Sequence, residues 1–216
     1  ERVRPRILGW LEQGRSVAYA SEAGTPMISD PGFDLARAVR EAGFDVTTAP
    51  GASAVIAALT LAGLPTDRFF FAGFLPNAAA ARRTALSEVA DVRATLVFYE
   101  SPRRLGAMLA DAATSLGADR SATVCREITK KFEECRSGSL AELAQYYSET
   151  APKGEIVVVI GKGEAKDVSE LEMTHAIETA LETMSVRDAA DFVSRMHGLK
   201  RRQVYQKAME LAKDRP

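Results

Sequence analysis

The stretch Ser21-Glu22-Ala23-Gly24-Thr25-Pro26-Met27-Ile28-Ser29-Asp30-Pro31-Gly32 constrains this chain more than any other. It separates an apolar run, Val17 to Ala20, from an amphipathic one, Phe33 to Val39. That pattern predicts a strand, a tight glycine turn and a helix start. In α/β proteins, the carboxyl end of a strand is where ligands sit. The competing reading is a tight strand–helix connection with Asp30 as the helix N-cap. No Gly-Lys-Thr/Ser phosphate loop follows the strand, and the Gly-x-Gly-x-x-Gly dinucleotide fingerprint is absent.

The rest of the chain repeats the alternation. Strands are expected at residues 15–20, 44–49, from 69, 94–99, 121–126 and 154–160. Helices are expected at 33–41, 52–61, 76–93, 102–116 and 139–147, the last with Ser139 and Glu142 as a capping box. Gly161 to Lys166 reads as a hinge, and only helices follow it, near 168–183, 185–196 and 199–213. Strands alternating with helices predict an α/β fold in two lobes with a helical tail. The expected boundaries are 1–92, 93–164 and 165–216.

Bulk properties exclude some functions. A net charge of −1 over 216 residues rules out a whole-surface polyanion binder but leaves room for a local basic patch. No apolar run approaches the roughly 20 residues of a membrane span, and no secretory leader is visible. Cys125 and Cys135 fit no zinc or redox spacing, which predicts inert thiols in a reducing, cytoplasmic setting. His175 and His197 are too scattered for a metal site.

Four further segments carry chemistry-bearing residues. Pro50-Gly51-Ala52-Ser53-Ala54 again joins a strand to a helix, whose first amides would point into any crevice there. Small-residue packing explains it equally well. Tyr99-Glu100-Ser101-Pro102-Arg103-Arg104 ends a strand; Tyr99 could stack on a ring and Glu100 could accept a hydrogen bond, or the pair could be core and ion pair. Arg126 to Glu134 is a charged run, either a solvated face or a reactive loop. The stretch Gly198 to Lys207 is basic, and with Ser185 to Ala190 it fits a helix-turn-helix-like pair or a helix packed on its own protein.

Together these strings resemble the tetrapyrrole-methylase superfamily of S-adenosylmethionine-dependent enzymes. They are most similar to its bacterial branch that 2′-O-methylates a cytidine of small-subunit ribosomal RNA. The resemblance rests on Ser21 to Gly32, Pro50 to Ala54, Gly63 to Thr66 and Phe71 to Pro76. Phe98 to Arg104, Arg126 to Lys130, Lys153-Gly154-Glu155 and the Gly198–Tyr205 tail add to it, all in family order.

The resemblance implies two α/β lobes, a methyl donor in the cleft between them, and a homodimer. It implies that Ser21, Ala23, Gly24, Thr25, Pro26, Pro50, Gly51, Ala52, Ser53, Ala54 and Tyr99 bind S-adenosylmethionine. Glu100 or Glu127 would be the base, and Arg126 or Lys130 the cation that stabilises an alkoxide. Arg82, Arg83, Arg103, Arg104, Lys200, Arg201 and Arg202 would meet the RNA backbone. The family's opening Gly-Asn-Leu loop and its Glu-Asp-Thr-Arg segment are not in this sequence. Residues 1–14 read as the middle or end of a helix, so the first lobe is expected to be N-terminally incomplete. The position matching Arg103 is commonly His in relatives. The alternatives are a precorrin- or porphyrin-type methyltransferase, and a non-catalytic fragment.

Overall fold

The computed structural model describes residues 3–22, 24–163 and 170–213. The chain divides into two compact units, Glu1–Lys162 and Gly163–Pro216.

The first unit runs α1 (Arg4–Glu12), α2 (Phe33–Glu41), α3 (Ala54–Ala62), β1 (Phe69–Phe74), α4 (Ala79–Glu88) and β2 (Thr95–Glu100). It continues with α5 (Leu105–Leu116), β3 (Ser121–Arg126), β4 (Glu134–Ser139), α6 (Leu140–Glu149) and β5 (Ile156–Ile160). The strands form one five-stranded mixed sheet in the order β1-β2-β5-β3-β4. β1 and β2 are parallel; the other neighbours are antiparallel. β5 is inner and buried along its whole length, which explains a strand of Ile and Val without alternation: both faces are covered.

The two faces are covered differently. Leu96, Phe98, Val124, Ile156 and Val158 pack under α4, α5 and α6, through Leu86, Leu105, Met108, Leu109 and Leu143. Val97, Cys125, Val157 and Val159 pack under α3 alone, through Val55, Ala58, Leu59 and Ala62. Thr123 fastens α3 to this face by donating to the Ala62 carbonyl at 3.2 Å.

Several expectations need correction. Residues 15–20 and 44–49 carry no strand structure, and Val17, Tyr19 and Val46 are exposed. An extended apolar run becomes a strand only where a neighbour takes up its backbone groups, and no strand among the described residues pairs with either. The cap of α2 is Gly32, not Asp30. The helix expected over 76–93 contracts to Ala79–Glu88, and α5 starts at Leu105 after a turn at 102–104. β1, on the first-lobe side of residue 92, shares its sheet with β2. β4 adds a strand to the expected order: a polar edge strand with no apolar alternation leaves little signal in the sequence. The capping box is present, with Glu142 N–H donating to Ser139 Oγ at 3.2 Å and Ser139 N–H to Glu142 Oε2 at 2.8 Å.

The second unit is helical, with α7 (Glu170–Ala180), α8 (Val186–His197) and α9 (Arg201–Lys213). Its core is Met173, Ile177, Ala189, Ala190, Val193, Val204 and Ala208. Ser185 caps α8 by accepting from Asp188 N–H at 3.2 Å, and Gly198, left-handed, turns the chain toward α9.

Candidate active site

The sheet register aligns Phe74, Tyr99, Val157, Cys125 and Cys135 in one cross-strand row. Tyr99 and Cys125 belong to the α3 face. The Tyr99 ring meets Phe71 edge-on at 4.9 Å and Phe74 at 5.6 Å. Ala54, from the start of α3, and Ile128, from the loop after β3, pack against the same cluster as Tyr99. Burial, and then the charge of Glu155, push the Tyr99 phenol up from its ordinary pKa.

The loop after β3 closes on itself through charge. Lys130 Nζ donates to Glu127 Oε1 and to Glu155 Oε2, each at 3.0 Å. Glu127 Oε1 also accepts from Glu155 N–H at 2.9 Å, and Glu127 N–H donates to the Glu155 carbonyl at 2.9 Å. The Glu155 N–H first, then Lys130, hold the Glu127 carboxyl below its usual range. Glu127 and Glu155 together raise the Lys130 ammonium. Gly154 makes this packing possible: a Cβ there would lie 2.3 Å from the Glu127 carboxyl carbon, and its φ is +96°.

Left-handed backbone at non-glycine residues falls in two loops only among the described residues. Glu127 (φ 52°) and Thr129 (φ 63°) form one pair, Met27 (φ 72°) and Ser29 (φ 55°) the other. Such conformations concentrate at ligand sites. The second pair lies in the Ser21–Gly32 loop, where Ser21 Oγ donates to the Gly24 carbonyl at 3.3 Å and Tyr19 Oη to that of Pro31 at 2.8 Å. Ser29 comes up against β1 at Gly73: a Cβ on Gly73 would stand 3.1 Å from Ser29 Oγ. Gly73 sits in the register shift beside Phe74, which joins this loop to the aromatic end of the Tyr99 row. Gly24 and Thr25 are exposed, while Ala23 lies outside the described residues. Pro50, Gly51 and Ala52 are exposed without regular structure, and Ser53 caps α3 with no side-chain hydrogen bond.

Two other candidates go elsewhere. Glu100, Ile156, Arg126 and Glu134 form the next register row, on the opposite face. Glu100 is 3% exposed; its Oε1 accepts from Ser101 N–H at 2.7 Å and pairs with Arg104 Nε at 3.2 Å. Arg104 in turn donates to the carbonyl of Leu75. Arg126 pairs with Glu134 at 2.9 Å. Both are tied into the frame, and neither stands with Tyr99. Among the basic candidates, Arg82 is buried against Asp111 at 2.7 Å and is withdrawn as a backbone contact. Arg83 is half-exposed and Arg103 exposed. In the helical unit, Lys200 and Arg202 are exposed, while Arg201 pairs with Asp191.

Sequence reasoning missed Asp111, Glu134 and Glu155 as individual partners. Glu155 had a signal, since it follows a glycine at the entry to a buried strand.

Residues 6–144 match the family described as Tetrapyrrole (Corrin/Porphyrin) Methylases, and residues 167–212 match the RsmI C-terminal HTH domain. The chain belongs to the tetrapyrrole methylase family. It is 42% identical to Ribosomal RNA small subunit methyltransferase I of Mesorhizobium japonicum, over 96% of this chain and 71% of that one. The protein of the same name from Mycobacterium tuberculosis is 44% identical over 94% of this chain and 72% of its own. Among solved structures, the methyltransferase CobJ matches at a TM-score of 0.54 and 20% identity, over 74% of this chain and 70% of that one. Uroporphyrin-III C-methyl transferase from Thermus thermophilus, complexed with S-adenyl homocysteine, matches at 0.51 and 19%, over 72% and 70%. At these identities the two structures speak for the tetrapyrrole methylase fold alone. Among the described residues of this family member, no group of three or more His, Cys, Asp or Glu could hold a metal, and no helix is long and apolar enough to cross a membrane.

Proposed function

We propose that this chain transfers a methyl group from S-adenosylmethionine to the 2′-hydroxyl of a cytidine ribose in small-subunit ribosomal RNA. Family membership and the curated relatives support the reaction and the RNA class. The single observation that carries the site is the packing of Tyr99, the first turn of α3 and the Glu127–Lys130 loop on one cluster.

The residues present fit the donor. Tyr99 offers a half-buried ring, Gly51 and Ala52 leave space, and the uncapped start of α3 leaves backbone amides to accept hydrogen bonds from. When bound, S-adenosylmethionine supplies a methyl group already activated on a sulfonium. The chain's part is to orient a 2′-hydroxyl, exclude water and stabilise the oxygen as it loses its proton. Lys130 is the cation for that oxygen. Glu127, with its carboxylate committed to Lys130 and the Glu155 N–H, positions it. Glu155 takes the proton in this reading, since its side chain is 70% exposed against 17% for Glu127. The reading extends to a cytoplasmic homodimer, with Arg83, Arg103, Lys200 and Arg202 as RNA contacts, and this extension rests on the family resemblance.

Calorimetric titration with S-adenosylmethionine, followed by labelled-methyl transfer to small-subunit ribosomal RNA, tests the proposal. The expected result is donor binding and label on a cytidine 2′-oxygen. Lys130→Met should lower transfer by about 10²–10³-fold and leave donor affinity within about twofold. Label on a tetrapyrrole and none on RNA would overturn the substrate; an undiminished rate in Lys130→Met would overturn the site.

A further inference from the structure

We propose that Cys125 and Cys135 are a redox modification site, a thiol pair that reacts with a small-molecule disulfide and closes into a cross-strand disulfide. Their sequence spacing matches no redox motif, but the sheet supplies the proximity. They are direct register partners on β3 and β4, and their sulfurs stand 2.8 Å apart as free thiols. Opposed residues of an antiparallel pair have Cα atoms about 4.5–5.5 Å apart, within the roughly 4.4–6.8 Å that a disulfide spans. No strand needs to move.

The two thiols differ in the way an exchange reaction needs. Cys135 is exposed on β4, the edge strand, where a reagent can reach it. Cys125 is fully buried beneath α3, in the cluster with Val157 and Val159. Burial first, then the hydrogen bond to Cys135, pushes the Cys125 thiol far up. Cys135 is therefore the sulfur that attacks a disulfide arriving from solvent, and Cys125 the one that resolves.

The electrons balance in two exchanges. The Cys135 thiolate attacks a disulfide such as oxidised glutathione, forming a mixed disulfide and releasing one glutathione thiolate. Cys125 gives up its proton and attacks the Cys135 sulfur, forming the Cys125–Cys135 bond and releasing the second thiolate. The protein loses two electrons and two protons, and one glutathione disulfide becomes two thiols. The product would staple β3 to β4 one residue before Arg126 and Glu134 pair, at the base of the Glu127–Lys130 loop. This assignment does not depend on the methyl-transfer reading.

The test uses the full chain and oxidised glutathione, with a denaturing alkylation quench and peptide mass spectrometry. The expected product lacks both alkyl groups, has lost two hydrogens, yields a crosslinked Cys125–Cys135 peptide, and regains two alkylatable thiols on reduction. Cys125→Ser should stop at a glutathione adduct on Cys135, and Cys135→Ser should stay unmodified while folded. A wild-type chain that accumulates the Cys135 mixed disulfide, dimerises covalently through Cys135, or takes up nothing would overturn the proposal.

Discussion

Tyr99 and Glu100 are consecutive residues of β2 that leave the sheet on opposite faces, and the faces treat polar groups differently. On the Glu100 side, three helices cover the strands, and each charged group is absorbed into the frame: Glu100 by Arg104 and Ser101 N–H, Arg126 by Glu134, Arg82 by Asp111. On the Tyr99 side, one nine-residue helix covers the centre. At the strand ends on that side, Tyr99 of β2, Ala54 at the uncapped start of α3 and Ile128 of the Glu127–Lys130 loop pack on one cluster. Charge in a motif becomes chemistry only where the covering layer stops short of it. A carboxylate under a full layer instead fixes the layer in place.

The largest expected effect comes from exchanging core residues across this divide. Phe98→Ala removes a fully buried ring from beneath α5 and should cost about 3–5 kcal/mol of stability. Tyr99→Leu keeps most of the volume and should cost less than about 1.5 kcal/mol, but weaken donor binding about tenfold through loss of the ring. Denaturant unfolding and donor titration on both variants measure this. Equal stability losses, or donor affinity untouched in Tyr99→Leu, would erase the functional distinction between the faces.

A smaller contrast separates two adjacent arginines of α4. Arg82 and Arg83 both reach Asp111, but their side chains are 7% and 50% exposed. Arg82→Ala leaves a mostly buried Asp111 with the longer 3.4 Å contact to Arg83 and should cost about 2–3 kcal/mol. Arg83→Ala should cost less than about 1 kcal/mol. If Arg83 meets RNA, its loss should lower the slope of log affinity against log salt by about one. Urea melts and salt-dependent RNA binding check both. A Arg82→Ala variant with native stability would show that the buried face is less committed than its geometry indicates.

Much of the frame is legible in the sequence. The Ile156–Ile160 run is apolar at every position because β5 is covered on both sides, and Ser139 with Glu142 announces α6. The segments at 15–20 and 44–49 mislead, because strand formation depends on a pairing partner and apolar composition does not supply one. The ordered motifs nominate a site region. Within Tyr99-Glu100 and Arg126-Glu127, however, the motif cannot say which residue faces which way, since a single step in register exchanges the faces. The Cys125–Cys135 proximity is hidden for a related reason. It comes from β4, whose residues Glu134-Cys135-Arg136-Ser137-Gly138-Ser139 carry almost no strand signal until β3 pairs with them.

The smallest expected effect is a pH dependence that does not appear. Glu127, held below the ordinary carboxylate range, contributes stability present above its unfolded pKa and lost as pH falls through its lowered folded value. Lys130, held above the ordinary ammonium range, contributes stability present below its unfolded pKa and lost as pH rises through its raised folded value. Tyr99, pushed up by burial and by Glu155, stays a neutral phenol across the same interval. From about pH 5 to about pH 10, then, Glu127, Lys130 and Tyr99 each keep one charge state. If Lys130 acts as a fixed cation, the ratio of wild-type to Lys130→Met kcat/KM should hold within about twofold across that range, whatever the absolute rates do. If Lys130 acts as a base, the ratio must change steeply as the lysine deprotonates. A ratio that collapses near neutral pH would remove Lys130 from the role of oxyanion partner and return the choice of catalytic group to the Glu155 carboxylate alone.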